Sequence, residues 1–362
     1  MIYLAYFILI FTAIQLFIAC VNALCKINLK QFTADKNPLI SILIPARNEA
    51  KNIANIIVDI TNQSYSNYEL LIYDDESTDE TASIVEQHVR DNPKIKIITS
   101  KSLPADWLGK NHACYCLSQQ ASGQYFLFLD ADVRISNNII QNVLGYAQSK
   151  ELSFVSIFPK QTLISFGEKI TVPIMNYILL TLLPLVLVYK SKQASLAAAN
   201  GQFMLFNAQT YKSINPHFIM RKSKVEDIKI ARYYKQEGKT IACLIGNDDI
   251  TCRMYTHFNE AVNGFSKNAL DFFGGNAFVA IVFWFVTTLG FLFISLQFSI
   301  LFIVIYFAMY LVTRIIVTAI SKQNIIENIL LIPLQQISFF MFLGKAIVPF
   351  FNKKQQWKGR NI

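Results

Sequence analysis

Two carboxylates, Asp130 and Asp132, close the apolar run Phe126-Leu-Phe-Leu129, which is flanked by Gly123 and by Ser136-Asn137-Asn138. A run this short between turn-forming residues reads as a buried strand of a parallel sheet. Ligands of open α/β sheets bind beyond the carboxyl ends of the strands. Extended backbone there puts Asp130 and Asp132 on one side, with Ala131 facing away. Two carboxylates that close call for a cation. A hard divalent ion such as Mg2+ suits them, because it takes one or two carboxylates and fills its shell from substrate phosphates. The same tripeptide also suits a solvated turn, so its neighbours decide.

Asp74-Asp75 end a second apolar run, Tyr68-Glu-Leu-Leu-Ile-Tyr73. Carboxylates there can accept from a nucleobase N–H or ribose hydroxyls, or belong to a capped turn before a helix. Gly109-Lys110 precedes a helical stretch, where a lysine and the unpaired N–H groups can meet phosphate. His112 beside it reads as a packed or exposed side chain. Glu226-Asp227 opens another helical stretch. Acids there complement the helix dipole, and Asp227 could also serve as general base toward an acceptor hydroxyl. Asp248-Asp249 reads as a loop. Arg253 or Lys267 could meet a diphosphate leaving group, with Phe265 at a bilayer surface. Trp357 and Arg360 form an aromatic and cationic interface anchor.

The elements that must position these groups alternate. Leu39-Ile-Ser-Ile-Leu-Ile-Pro45 reads as a strand, Ala46-Arg47-Asn48-Glu49 as a turn and 50–62 as a helix. The run at 68–73, a helix to about Arg90 and a strand at 95–98 follow, then a helix at 111–121 and the Asp130 strand. Such alternation predicts an α/β fold with a doubly wound, mainly parallel sheet. The first strand-to-helix turn lacks the glycine fingerprint of a dinucleotide-binding dehydrogenase.

The chain has 362 residues, 53% hydrophobic and 16% charged, with a net charge of +9. That is too apolar for a simple soluble domain. The positive charge suits an anionic membrane surface, and no nucleic-acid motif accompanies it. The six cysteines are scattered and read as free thiols in a reducing compartment. Residues 1–25 form an uncleaved N-terminal anchor. Lys26, Lys30 and Lys36 behind it place that end in the cytoplasm by the positive-inside tendency. Residues 38–270 carry the chemistry. Within them, 170–189 is expected to be an interfacial or re-entrant helix, since a crossing would separate Glu226-Asp227 from Asp132. Residues 272–350 are membrane helices, with spans at 276–296 and 298–320 and a non-crossing or re-entrant segment at 328–350. Residues 351–362 form a basic cytoplasmic tail.

Together, Ser41-Ile-Leu-Ile-Pro-Ala-Arg-Asn-Glu49, Asp74-Asp75-x-Ser77-x-Asp79, Gly109-Lys110, Asp130-Ala-Asp132 and Glu226-Asp227 resemble the membrane-bound glycosyltransferases of family 2, in that family's order. The resemblance implies the GT-A fold, a Rossmann-like sheet, and a nucleotide-diphosphate sugar donor, usually a UDP-sugar. It implies that Pro45, Arg47, Glu49, Asp74, Asp75, Lys110 and Asp130 bind the donor nucleotide, with Asp74 or Asp75 on the base and Asp130 on the ribose. It implies Asp132 on Mg2+ or Mn2+, and Asp227, beside Glu226, as base of an inverting transfer. Arg253 joins the donor set on the leaving-group reading above. The flanking membrane segments, Gly264-Phe-Ser-Lys-Asn268 and Trp357-Lys-Gly-Arg360 resemble the carotenoid glucosyltransferase branch. Phe265, Lys267, Trp357 and Arg360 are therefore placed on the acceptor and interface side. Gln355-Gln-Trp357-Lys-Gly-Arg360 departs from the Gln-x-x-Arg-Trp motif of processive synthases, which favours one sugar per acceptor.

The expectation is a bacterial membrane enzyme that moves one sugar, glucose, to a carotenoid or other isoprenoid lipid from the cytoplasmic side. Polyprenyl phosphate, diacylglycerol and sphingolipid are the competing acceptors. A membrane-anchored nucleotide-binding protein without turnover is the competing class.

Overall fold

The computed structural model describes residues 1–25, 27–29, 31–32, 37–100, 102–352, 356–357 and 360–361, with side chains up to residue 348. Lys26, Lys30 and Lys36, on which the orientation expectation rests, lie outside the described residues, as do the side chains of Trp357 and Arg360.

An apolar helix, α1 (Ile2–Leu24), comes first. Strands and helices then alternate: β1 (Ile40–Ala46), α2 (Ile53–Thr61), β2 (Tyr68–Asp74), α3 (Thr81–Asp91), β3 (Ile95–Thr99), α4 (Gly109–Gln120), β4 (Tyr125–Leu129), the short β5 (Val133–Ile135) and α5 (Ile139–Ser149). Next are β6 (Phe154–Phe158) and β7 (Lys160–Gln161), followed by three short helices, α6 (Phe166–Thr171), α7 (Pro173–Leu182) and α8 (Val186–Lys190). Then come β8 (Phe203–Asn207), α9 (Ala208–Ile214), α10 (Pro216–Ile219), α11 (Glu226–Gln236), β9 (Ile241–Ile245) and β10 (Ile250–Cys252). The last helices are α12 (Phe258–Asn268), α13 (Ala277–Gln297), α14 (Ile300–Ile320), α15 (Ile325–Leu330) and α16 (Ile332–Asn352).

Seven strands form the main sheet, in the order β3-β2-β1-β4-β8-β6-β9. Neighbours are parallel except at β8, which is antiparallel to both β4 and β6. The expected mainly parallel sheet is therefore mixed, with one reversed strand. Its strands are apolar throughout because both faces are covered. Successive residues supply opposite layers: Ile42, Ile44, Leu70 and Ile72 face α2, whose Ile53, Ile56, Ile57 and Ile60 make one helical stripe. Leu43, Leu71, Phe126 and Phe128 face α4, α9 and α11. Each such fully buried side chain contributes about 1.5–3 kcal/mol. The β1–β2 register sets Ala46 beside Asp74, and the β4–β8 register sets Leu129 beside Phe203. The loops leaving β1, β2 and β4 and the loop entering β8 thus meet at one edge.

Among the described residues three helices are long and apolar enough to cross a membrane: α1, α13 and α14. They pack through Ala5, Ile8, Val286, Ile294 and Tyr306. Gly290 lets α13 close on α1, since a Cβ there would lie 2.9 Å from Ile8 Cγ2. The segment at 170–189 is not one helix. Pro173 begins α7 and Pro184, lacking an N–H, interrupts the chain before α8. At that break Asn22 of α1 donates to the carbonyls of Leu180 and Leu183, at 3.0 Å each, and accepts from Leu185 N at 2.8 Å. The segment at 328–350 likewise divides into α15 and α16. Pro333 falls in the first turn of α16, where a missing N–H costs nothing.

Candidate active site

β4 ends at Leu129, and Val133 N donates to Asp130 O at 3.2 Å. Asp130-Ala131-Asp132 is therefore a turn rather than extended chain, and Ala131 is buried beneath it. The turn still brings both carboxylates into one place. Asp130 and Asp132 line a cavity of about 550 Å3 and a smaller one of about 170 Å3 beside it.

Lys110, in the first turn of α4, reaches across to this turn. Its Nζ lies 2.7 Å from Asp130 Oδ1 and 3.7 Å from Glu226 Oε1. Burial alone would lower its proton affinity, but the Asp130 and Glu226 carboxylates outweigh that and hold it well above an ordinary lysine. Glu226 and Asp227 open α11. Asp227 Oδ2 accepts from Gly201 N at 2.9 Å and Oδ1 from Ile228 N at 2.8 Å. Burial, with Asp227 alongside and Lys110 opposing, pushes the Glu226 carboxyl up to about 7. Burial also raises Asp227, against the N–H donors and Lys110. The acids at this helix start are thus more than a dipole complement: with Lys110 and Asp130 they form one charge cluster.

The segment that completes the cluster carried no charged residue to mark it in the sequence. Asn200-Gly201-Gln202 lead into β8, and Gln202 O accepts from Asp130 N at 3.1 Å. A Cβ at Gly201 would stand 3.2 Å from Lys110 Nζ, 3.4 Å from Glu226 Oε1 and 3.6 Å from Asp227 Oδ2. The glycine keeps the space among the three charges open. The small-residue run Ala197-Ala-Ala-Asn-Gly201 was its only trace in the sequence.

Pro45, Arg47, Glu49 and Asp75 line the smaller cavity with Lys110, Asp130 and Asp132. Arg47 Nη1 donates to Asp75 O at 2.5 Å. Asp74 is buried and does not line this cavity. The two turns beneath are cross-linked. Asn48, at φ 54°, accepts from Thr78 N at 2.8 Å, and Asp79 accepts from Ala50 N at 3.1 Å. Asp79 therefore braces the turn; burial would raise its carboxyl, but bonds from Thr81 and Ala50 hold it below the usual range.

Apolar side chains, Phe158, Met175, Met254, Phe265 and Phe272, also line the larger cavity. Lys267 lines it too, and burial with Lys224 nearby lowers its proton affinity. Two expectations are corrected here. Phe265 is buried, 5% exposed, against Tyr255 and Phe342 rather than at a surface, because the apolar face of α12 packs on α16. Arg253 does not line either cavity. Its Nε donates to Glu168 Oε1 at 2.8 Å, since that fully buried carboxylate needs a cation.

Asp130 and Asp132 offer hard oxygen donors, which suit Mg2+ or Mn2+. Among the described residues no group of three or more His, Cys, Asp or Glu side chains could hold an ion unaided. Two carboxylates serve such an ion when substrate phosphates and water complete its shell.

A mixed sheet with acids at the carboxyl ends of its strands defines a GT-A-like class of fold. Residues 41–209 match the family model described as Glycosyl transferase family 2. The match takes in Lys110, Asp130 and Asp132 and stops before Glu226-Asp227. The 4,4'-diaponeurosporenoate glycosyltransferase of Staphylococcus haemolyticus (strain JCSC1435) is 26% identical over 235 residues, 63% of this chain and 60% of that protein. The protein of the same name from Staphylococcus aureus (strain USA300) is 24% identical over 251 residues, 68% of this chain and 65% of that one. The chain thus spans less than two thirds of either relative's length. Among solved structures, mannosyltransferase PcManGT from Pyrobaculum calidifontis, in complex with GDP-Man and Mn2+, aligns over 95% of this chain and 99% of its own, with TM-score 0.58 and 14% identity. That likeness is one of fold.

Proposed function

We propose that this chain transfers one sugar, glucose, from UDP-glucose to a hydrophobic isoprenoid acceptor of the carotenoid class, with inversion, at the cytoplasmic face of a bacterial membrane. The observation that carries the reading is the mixed lining of one cavity: Lys110, Asp130, Asp132, Glu226 and Asp227 together with Phe158, Met175, Met254, Phe265 and Phe272. The charged, phosphate-compatible side chains support a nucleotide-diphosphate donor, and the apolar ones support a lipid. The names of the two staphylococcal relatives support the carotenoid choice, and the helices α1, α13 and α14 support acceptor entry from a bilayer.

In this reading Pro45, Arg47, Glu49 and Asp75 hold the nucleoside, Asp130 the ribose, and Asp132 the Mg2+ or Mn2+. That ion would offset charge on the departing diphosphate. Lys110 adds a second positive charge there. Asp227 takes the proton of the acceptor hydroxyl as its oxygen attacks the anomeric carbon, and the carbon–diphosphate bond breaks with its electron pair leaving on UDP. With a carboxylate acceptor no proton is moved, and Asp227 orients the nucleophile. Phe265 and Lys267 line the acceptor's route, with Trp357 and Arg360 at the membrane surface.

The test is transfer by purified full-length protein with UDP- and GDP-sugars, Mg2+ or Mn2+, and a polyisoprenoid lipid extract. Wild type should consume UDP-glucose and label a lipid. Asp227→Asn should bind the nucleotide yet lose roughly 10²–10⁴-fold in transfer. A protein that binds UDP with metal but turns over no donor would be a nucleotide-binding protein instead.

A further inference from the structure

Two loops deliver the charges of the cavity. Residues 102–108 lead into α4 and Lys110, and residues 220–225 lead into α11, Glu226 and Asp227. No strand pairing among the described residues joins these loops. Side chains do, at the surface through the exposed Lys222–Asp106 ion pair at 2.7 Å and in the interior through Asn111. Asn111, next to Lys110 and 1% exposed, donates through Nδ2 to Met220 O at 2.8 Å and Ser223 O at 2.9 Å, with Arg221 O at 3.4 Å. Three carbonyls fix the orientation of the amide, because its oxygen in that place would meet only acceptors. Leu108 N adds a bond to Arg221 O at 2.9 Å, and the Trp107 ring packs 5.9 Å from that of Phe218.

We propose that Asn111 is a positioning residue: its amide grips the 220–223 turn and sets how closely Glu226 and Asp227 approach the Lys110–Asp130 pair. The inference rests on the transferase reading above. Charges at such separations respond steeply to small displacements, and Lys110 Nζ stands 3.7 Å from Glu226 Oε1. The other groups facing Glu226 are Cys114 on α4, Asp130 after β4 and Asp227 on its own helix. Gly201, from the segment entering β8, brings no charge. Loosening the grip withdraws Lys110, the one cation in this set, and leaves Glu226 holding its proton to higher pH.

The experiment uses full-length wild type, Asn111→Leu and Asn111→Ser, with kcat and donor KM measured between pH 5.5 and 9 (about the range in which a carboxylate of this kind titrates). Asn111→Leu should keep donor KM within about threefold and lose roughly 10²-fold in kcat, the scale of a displaced catalytic group. Its acidic limb should move up by about half a pH unit or more. Asn111→Ser, which keeps one donor, should change in the same direction by less. Nucleotide binding by each variant checks folding, and if Asn111→Leu does not fold, Asn111→Ser is held to the same criteria. Unchanged kcat, or a loss of kcat with the limb unmoved, overturns the inference. Failure of wild type to transfer sugar overturns the transferase reading instead.

Discussion

Two of the chain's cations are held in opposite ways. Lys110 sits between carboxylates, Asp130 at 2.7 Å and Glu226 at 3.7 Å, on the wall of a cavity. Arg314, in α14 and 5% exposed, has no ion pair within 4.0 Å among the described residues. Its Nε and Nη2 donate to Tyr310 Oη at 3.3 and 3.0 Å, its Nη1 donates to Gln335 Oε1 at 3.2 Å, and its guanidinium lies 3.8 Å from the centre of the Tyr177 ring. Those partners belong to α14, α16 and α7, so the arginine binds three helices together. The contrast separates two uses of a positive charge. Among carboxylates, protons and ligands can change the local balance, which is what a reacting site requires. Among neutral donors, acceptors and a ring, the charge is satisfied once and for all, which suits attachment.

Exchanging the two roles is the sharpest way to break this comparison. Lys110→Met should lower transfer by roughly 10²–10³-fold, as loss of a charge-stabilising group does, while the thermal midpoint moves little. Arg314→Met should do the reverse. It should cost about 1–3 kcal/mol through the partners it leaves unbonded, visible as a lower midpoint in detergent, with specific activity of the folded fraction unchanged. An Arg314→Met protein as inactive as Lys110→Met would end the distinction.

A smaller effect belongs to Gly201. Gly201→Ala adds one carbon 3.2 Å from Lys110 Nζ, so kcat/KM should fall by about tenfold, the equivalent of ~1.4 kcal/mol, at unchanged stability. Full activity would mean that the three charges have room to part. The smallest effect is graded with pH. Glu226 is pushed up to about 7 by its burial, so kcat/KM should rise as pH increases through neutrality, and Glu226→Gln should flatten that rise. The same raised value acts on stability. The folded protein holds a proton there that the unfolded chain gives up at its ordinary lower value, so this contribution is full below that value and lost as pH rises through about 7. A midpoint insensitive to Glu226→Gln across that window would contradict the burial argument.

The sheet was largely readable because β1, β2 and β4 are apolar runs ending in turn residues, and that pattern is local. The reversal of β8 was not, since strand direction depends on what the chain does between residues 130 and 202. Asp130 and Asp132 were correctly brought together although the backbone between them turns rather than extends. Arg253 was misplaced because its partner, Glu168, is far away in sequence and signals nothing near it. Phe265 was read as a surface anchor because the sequence does not reveal that α16 covers it. Gly201 escaped notice because its contribution is space, and no pattern of residue types encodes an atom that must be missing.

The reversed strand also orders the chain's assembly in time. β8 alone joins the β3-β2-β1-β4 half of the sheet to β6 and β9. Until residue 207 has been made, β4 lacks its second neighbour and the apolar strand β6 stands with no partner at all. At ~5–20 residues per second of synthesis, that interval is a matter of seconds. During it Phe154-Val-Ser-Ile-Phe158 is a ready template for wrong pairing, while α1 has long since left the ribosome. Early docking of α7 on α1, through Asn22 to Leu180 O and Gln15 Nε2, which donates to Thr181 Oγ1 at 3.2 Å, would shorten the search by holding the intervening chain near its final place before β8 arrives.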